Sequence, residues 1–346
     1  LAMCEEVNLL RAIPDESTGL KAFTYREMDE LAFVSGSSYV SFADGACPEN
    51  YEHDGDNVTA TLKNIGAYKS LTLSDIMHSA AVAGMSQGGF GVGIDSLNGP
   101  MPAGQGLPGV AGVNTLANQA VANLKAKEMA LMATLVLNGE DRLLVRGNAS
   151  SNALEYDGIE TLITSGNGSH TNASSEASGT FSGANFDRFL AEGCAKPTAV
   201  FGHPTAIQEM MSAYFQLGYQ GSQLVNHNDG SRIVPGYNFA GEVNTGIGTL
   251  MVVADSNFTR TASSATTFQS SLYALRMSHN GEPLIFRKTQ IPLAFKDLAP
   301  GCTAIAFQIW KKTVLVAKAR CAHGKYTSLF SGRSVSTCPV VHLSND

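Results

Sequence analysis

The nearest approach to a catalytic signature is Gly84-Met85-Ser86-Gln87-Gly88, a match to the G-x-S-x-G turn that presents a serine as an acyl-transfer nucleophile. Such a serine needs a strand feeding it, a helix leaving it, and an acid and a histidine to activate it. Asp255 with His279 or His323 satisfies the order along the chain. The local context does not fit, because Phe90-Gly91-Val92-Gly93 and then Asn98-Gly99-Pro100 follow, a stretch that opposes helix formation. No His-Gly-Gly loop precedes Ser86 to supply an oxyanion site. A Ser hydrolase of esterase type using Ser86 is the alternative reading; a Gly-rich turn with a passive hydroxyl is the simpler one.

Other chemistry-bearing patterns also lack their context. Gly104, Gly106 and Gly109 spell G-x-G-x-x-G before a helix, but Pro100-Met101-Pro102 occupies the place of the strand that a dinucleotide site requires. No phosphate-binding G-x-x-x-x-G-K-[ST] loop occurs, and the eight histidines form no helical ligand pair. Asp44, Asp54 and Asp56 sit among turn-forming residues outside any calcium-loop pattern. Arg287-Lys288 and Lys311-Lys312, near Phe286, Phe295 and Trp310, superficially suggest a nucleic-acid platform and read more simply as solvated strand edges. No catalytic, cofactor-binding or metal-binding residue is therefore assigned.

Bulk composition agrees with a protein that does not act through charge. The 346 residues are 44% hydrophobic and 15% charged, enough to bury a sizeable core in two domains or one elaborated domain. The formal net charge of -7 argues against whole-surface attraction to nucleic acid or anionic lipid. Six cysteines at positions 4, 47, 194, 302, 321 and 338 form no C-x-x-C pair, so free thiols in a reducing compartment are the expectation. The Asn-x-Ser/Thr sequons read as loop chemistry. No apolar run approaches the roughly 20 residues that span a bilayer. The start at Leu1 is compatible with a processed chain or with part of a longer one.

The elements follow from periodicity and punctuation. Residues 1–31 have no sustained period and read as an arm without a core of its own. Short β-prone pieces, Phe33-Val34, Ser38-Tyr39-Val40-Ser41-Phe42 and Val58-Thr59-Ala60-Thr61-Leu62, read as a long two-stranded excursion. A Gly- and Pro-crowded stretch over 84–112 precedes a helix predicted from Asn114 or Thr115 to Asn138, with Gly139 as its stop. That helix is a rod of roughly 36 Å. A Ser/Gly/Thr/Asn tract over 165–182 reads as a boundary between lobes. Beyond it come a helix near 185–192, a strand at 198–201, a helix opening at Pro204, strands at 232–237, 242–243, 249–254, 272–277 and 284–286, and a hairpin of 303–310 with 314–319. This order suits an α+β protein.

The order of parts resembles the major capsid proteins of tailed bacteriophages. The resemblance rests on the arm, the β excursion, the helix ending Ala133-Thr134-Leu135-Val136-Leu137-Asn138-Gly139-Glu140-Asp141, and then Tyr156-Asp157-Gly158-Ile159-Glu160-Thr161-Leu162-Ile163. Lys196-Pro197-Thr198-Ala199-Val200-Phe201-Gly202-His203-Pro204-Thr205-Ala206-Ile207 and the region 234–255 look like that family's axial domain. The likeness covers about 33–319, and its specificity lies in the sequence of weak motifs. It implies an N-terminal arm at 1–34, an E-loop at 35–75, a peripheral domain at 76–180 with a spine helix over about 114–138, an axial domain at 181–275, and returning peripheral strands with a tail at 276–346. It also implies a structural subunit without enzymatic activity. The subunit would assemble with itself into hexamers and pentamers of an icosahedral shell in the host cytoplasm, with scaffolding, portal and decoration proteins as further partners. The shell would enclose double-stranded DNA without sequence-specific contacts or a membrane. An encapsulating-compartment or phage-tail subunit is a neighbouring reading. The tail from Ser328 onward matches no part of the family pattern.

Overall fold

The computed structural model describes residues 8–26, 30–33, 51–54, 57–72, 111–216, 240–264, 266–298 and 304–331. Its elements in chain order begin with helix α1 (Asn8–Ala12) and strands β1 (Asp15–Ser17), β2 (Ala22–Arg26), β3 (Glu30–Phe33), β4 (Tyr51–Asp54), β5 (Asn57–Thr61) and β6 (Lys63–Thr72). The long helix α2 (Ala111–Arg146), α3 (Ile159–Leu162), β7 (His170–Thr171), α4 (Ser174–Ala177), α5 (Gly183–Glu192), β8 (Ala199–Gly202) and α6 (Pro204–Gln216) follow. Then come β9 (Ala240–Thr245), β10 (Gly248–Ala254), β11 (Arg260–Ala262), β12 (Thr267–Leu275), β13 (Ser278–His279), β14 (Glu282–Pro283), β15 (Ile285–Asp297), β16 (Ala304–Ala317) and β17 (Gly324–Ser331). The protein is α+β, and it divides into a smaller unit over 64–139 and 291–312 and a larger one over 6–63, 140–290 and 313–346.

The larger unit is built on a seven-stranded sheet of order β7-β17-β12-β8-β10-β9, with β11 added to β12. Strands β8 and β10 are parallel, while β12 runs antiparallel to β8 and β17. Alternation explains the arrangement: Gly324–Ser331 is buried at every second residue, and Ala199–Gly202 is buried throughout because it lies mid-sheet. Helix α5 has apolar Phe186, Phe189 and Leu190 on one side, and α6 has Ile207, Met210 and Tyr214 at helical spacing. These join Phe181, Phe268, Tyr326 and Phe330 in one aromatic-rich core. A buried Phe or Leu contributes about 1.5–3 kcal/mol, so this cluster dominates the unit's stability.

Residues 8–26 contribute more than an arm would. Leu9 and Ile13 are buried to within 1% of full burial, β1 pairs in parallel with Arg287–Thr289, and Tyr25 donates its hydroxyl hydrogen to Ala317 O at 2.9 Å. The two-stranded excursion exists, but its outgoing strand starts earlier than expected. β2 pairs antiparallel with β5, from Ala22↔Thr61 to Arg26↔Asn57, and β3 with β4, from Glu30↔Asp54 to Phe33↔Tyr51. The two ladders pair consecutive segments of the chain. The expected Ser38–Phe42 strand lies outside the described residues, as do the 84–110 segment and the 232–237 strand.

In the smaller unit, Met132 and Val136 of α2 pack with Leu71, Phe307 and Ile309. Lys125 reaches Asp297 at 2.7 Å and lies over the Phe295 ring. At Gly66 a Cβ would stand 2.6 Å from Ile309 O, so the close approach of β6 to β16 requires glycine there.

Three expectations need correction. The long helix does not stop at Gly139 but runs to Arg146, because Leu144 and Val145 beyond the glycine are fully buried and outweigh its helix penalty of about 1 kcal/mol. Residues 304–317 form one strand instead of a hairpin; Lys311-Lys312-Thr313 carries no turn former, and Lys311 and Thr313 are buried. The Ser/Gly tract is tied into the large sheet: Asn172 donates to Thr327 O at 2.8 Å and accepts from Thr327 N at 2.9 Å. The unplaced tail begins as Ser328–Ser331 of β17, which pairs with β12.

The Asp157-Gly158-Ile159 turn is explained by what crosses it. A Cβ on Gly158 would lie 2.6 Å from both Leu143 O and Val145 O, while its N–H donates to Gly147 O at 2.8 Å. Helical Gly139 has no atom within 4 Å of the same position. Gly158→Ala is therefore expected to destabilise the protein by about 2–3 kcal/mol. Gly139→Ala is expected to stabilise it by about 1 kcal/mol. Urea-denaturation midpoints of the two variants against the parent check both signs.

Candidate functional site

The charged residues of the larger unit converge inside it. Glu140 has no solvent exposure and Arg287 only 6%. Arg287 Nη1 donates to Glu140 Oε1 at 3.1 Å and lies 3.6 Å from Asp15 Oδ2; Nη2 donates to Leu10 O at 3.2 Å. The Arg287 backbone N–H donates to Pro14 O at 2.8 Å. A planar guanidinium with several fixed donors can thus join the end of α2, the turn after α1, and β15. The neighbouring Lys288 meets Glu16 at 2.6 Å and lies over the Phe23 and Phe286 rings. Neither residue is a solvated strand edge, and neither is presented to a phosphate backbone.

One residue along, Asp141 is also fully buried. Its Oδ1 accepts from Leu10 N at 3.0 Å and its Oδ2 from Asn257 Nδ2 at 3.1 Å. Asp141 is within hydrogen-bonding reach of Asp255, another carboxyl with no exposure. Asp255 Oδ1 accepts from Asn257 N at 2.8 Å, whereas its Oδ2 has no other hydrogen-bond partner. Two buried carboxyls so placed disfavour ionisation of Asp141. Burial, and then Asp255, push the Asp141 carboxyl up to about 9. Around them Arg146 donates to Phe258 O at 3.0 Å, and Glu160 accepts from both the backbone and the hydroxyl of Thr259. The turn following β10 is therefore fixed by the end of α2 and by α3. Tyr156, fully buried nearby, has its phenol pushed far up by burial and by Glu140.

This cluster ties elements together; it does not converge on a substrate. Ser86 and the Gly84–Gly88 turn lie outside the described residues, as do Gly104, Gly106, Gly109, Asp44 and Asp56. The acid and base that chain order would offer Ser86 are engaged elsewhere. Asp255 is buried against Asp141 and accepts from Asn257 N, and His323 uses Nδ1 to accept from Arg276 N and Nε2 toward Lys318 O. Burial holds the His323 imidazole down to about 4, so it is neutral at neutral pH. His279 is exposed, with its ring against Arg276. Asp54 lies in the β4 ladder opposite Glu30. Among the described residues no group of three or more His, Cys, Asp and Glu could hold a metal ion, and no helix is long and apolar enough to cross a membrane. In the sequence the only signal of this node is Glu140-Asp141, a pair of acids directly inside an apolar helical run.

The whole-chain arrangement is more informative than any cluster. The chain aligns with the capsid asymmetric unit of cyanophage A-1(L) at a TM-score of 0.53 and 12% identity, over 95% of this chain and 94% of that one. It has the fold of a tailed-phage capsid protein. The capsid of an empty GTA particle aligns at a TM-score of 0.49 and 11% identity over 95% of this chain and 98% of that one. The SrpI encapsulin of Synechococcus elongatus aligns at 0.46 and 10% identity over 95% and 90%. No protein-family model matches the sequence, and no curated protein matches it. At such identities the likeness is one of fold.

The acid pair gives stability a defined pH dependence. An unfolded Asp141 loses its proton near the ordinary carboxylate value of 3.8, whereas the folded one keeps it to about 9. Between those values the folded chain carries the extra proton, so this contribution is complete at acid pH and declines as pH rises. Asp255→Asn keeps the acceptor for Asn257 and places an amide donor where the orphaned Oδ2 stands. The fall in melting temperature from about pH 5 to about pH 9 is expected to be shallower in that variant than in the parent. Parallel curves in a pH-series thermal melt would contradict a contribution of Asp255 to the raised Asp141 carboxyl.

Proposed function

We propose that this protein is a structural subunit of an icosahedral viral shell, assembling with itself into hexamers and pentamers around packaged double-stranded DNA. The observation that carries the reading is the fold likeness over nearly the whole chain to the cyanophage A-1(L) capsid. On this reading the ribbon of β2–β3 with β4–β5 is the E-loop, α2 is the spine helix, the smaller unit is the core of the peripheral domain, and the large sheet with α5 and α6 is the axial domain. The subunit works as a building block in a virion assembled in the host cytoplasm, with scaffolding, portal and decoration proteins as its other partners.

Several physical features support this reading. A shell subunit gains its energy by burying protruding segments and apolar patches on neighbours. In the smaller unit Tyr68, Leu131, Leu135 and Leu293 keep at least 36% of their surface exposed, and Leu131 and Leu135 lie one helical turn apart. Exposed aromatic and leucine side chains of this kind suit contacts between copies. A net charge of -7 suits a container that does not grip its contents.

Replacing residues 27–56 by a short Gly-Ser turn leaves the β2–β5 ladder intact, since that ladder ends at Arg26↔Asn57. Sedimentation velocity of the full chain is expected to show large closed assemblies, or rings of five or six subunits. The shortened variant is expected to remain folded by circular dichroism and to sediment as a small species. Assemblies of parental size from the shortened chain would overturn the role given to the ribbon. An absence of assembly by the full chain together with the other proteins of its particle would overturn the shell reading.

A further inference from the structure

Cys194 and Cys321 are 127 positions apart, yet their Sγ atoms approach to 2.8 Å. Cys194 is exposed and Cys321 half-buried, and no disulfide bond joins them in this structure. This spacing is shorter than two unbonded sulfur atoms ordinarily adopt and longer than the approximately 2.05 Å of a disulfide bond, so the two side chains already stand within reach of a covalent link. Two cysteines that lie far apart in the sequence are thus brought together by the fold.

The backbone on each side is fixed by its own interactions. Cys194 follows α5, whose Phe189 and Leu190 are buried in the large core; the Phe189 ring stacks on His170 at 4.6 Å. Cys321 lies in the single turn of 3-10 helix Arg320–Ala322 that joins β16 to β17. Ala319 opens that turn in the left-handed region, at φ 52°, and accepts from Ala322 N at 2.8 Å. His323 closes it, and its carbonyl accepts from His170 N at 3.1 Å. Cys321 is held in a hydrogen-bonded turn and Cys194 in the short bend between α5 and β8, so closing the pair from 2.8 Å calls for only a small local shift.

We propose that Cys194 and Cys321 form a redox modification site that closes to an intramolecular disulfide, joining the end of α5 to the β16–β17 turn. The oxidant class is a small soluble disulfide, and the exposed Cys194 is where it enters. The Cys194 thiolate attacks one sulfur of that disulfide, forming a mixed disulfide and releasing one small thiolate. The Cys321 thiolate then attacks Cys194 Sγ, breaks the mixed disulfide and releases the second small thiolate. The protein loses two electrons and two protons, and the oxidant becomes two thiols. Closing a loop of 127 positions restricts the unfolded chain, so the oxidised form is more heat-stable.

The test treats the folded full chain with glutathione disulfide, blocks remaining thiols with iodoacetamide, and maps peptides without reduction. A linked Cys194–Cys321 peptide pair is expected, with a melting temperature higher by about 5 °C than in reductant. Cys194→Ser and Cys321→Ser should each abolish both the linked pair and the shift, which separates this site from the other four cysteines. Recovery of the two cysteines as alkylated thiols, as separate glutathione adducts, or linked to cysteines of another copy would overturn the proposal.

Discussion

A glutamate with no access to water is tolerable only beside a cation, and the larger unit is organised around the one that serves Glu140. Arg287 reaches it from β15, while its Nη2 donates to Leu10 O and its backbone N–H to Pro14 O. The N-terminal segment, the C-terminal end of the long helix and a strand almost three hundred positions from the start are thereby fixed together. Removing one partner of such a pair generally costs about 3–5 kcal/mol, because the other is left as a buried lone charge. The Asp141–Asp255 pair adds a second tie one residue further along, between the same helix and the turn after β10. Among the described residues these buried polar groups hold elements in register.

The elements with strong local signals were legible in the sequence. Pro204 opened its helix where the rule for a first-turn proline puts it, and Ile207, Met210 and Tyr214 faced the core as their spacing required. The two-stranded excursion was legible from β-prone pieces and turn residues, though not its first strand, because Ala22–Arg26 is recognisable only through its partner Asn57–Thr61. What failed was reading punctuation as an absolute signal. Gly139 sits in mid-helix because the burial of Leu144 and Val145 decides the matter, and the Ser-rich 165–182 tract is ordered by bonds to β17 that composition cannot show.

Charge was the least legible property. Arg287-Lys288 looks in sequence like any basic strand edge, and only the fold brings Glu140, Asp15 and Glu16 to meet it. The same holds for Cys194 and Cys321, whose closeness depends on the packing of α5 beside the β16–β17 turn. Long-range partners of this kind leave no periodicity to read. The order of elements, by contrast, survives at 12% identity to the cyanophage capsid, since it depends on which segments alternate and where glycine permits close approach.

The central claim is that this fold builds a closed shell through its ribbon and its long helix. Electron cryo-microscopy of particles formed by the full chain tests it directly. The account predicts closed shells with fivefold and sixfold clusters of subunits, in which the ribbon of 22–33 with 51–61 lies across a neighbouring subunit. Particles in which that ribbon packs only on its own subunit, or assemblies without fivefold and sixfold clusters, would contradict it.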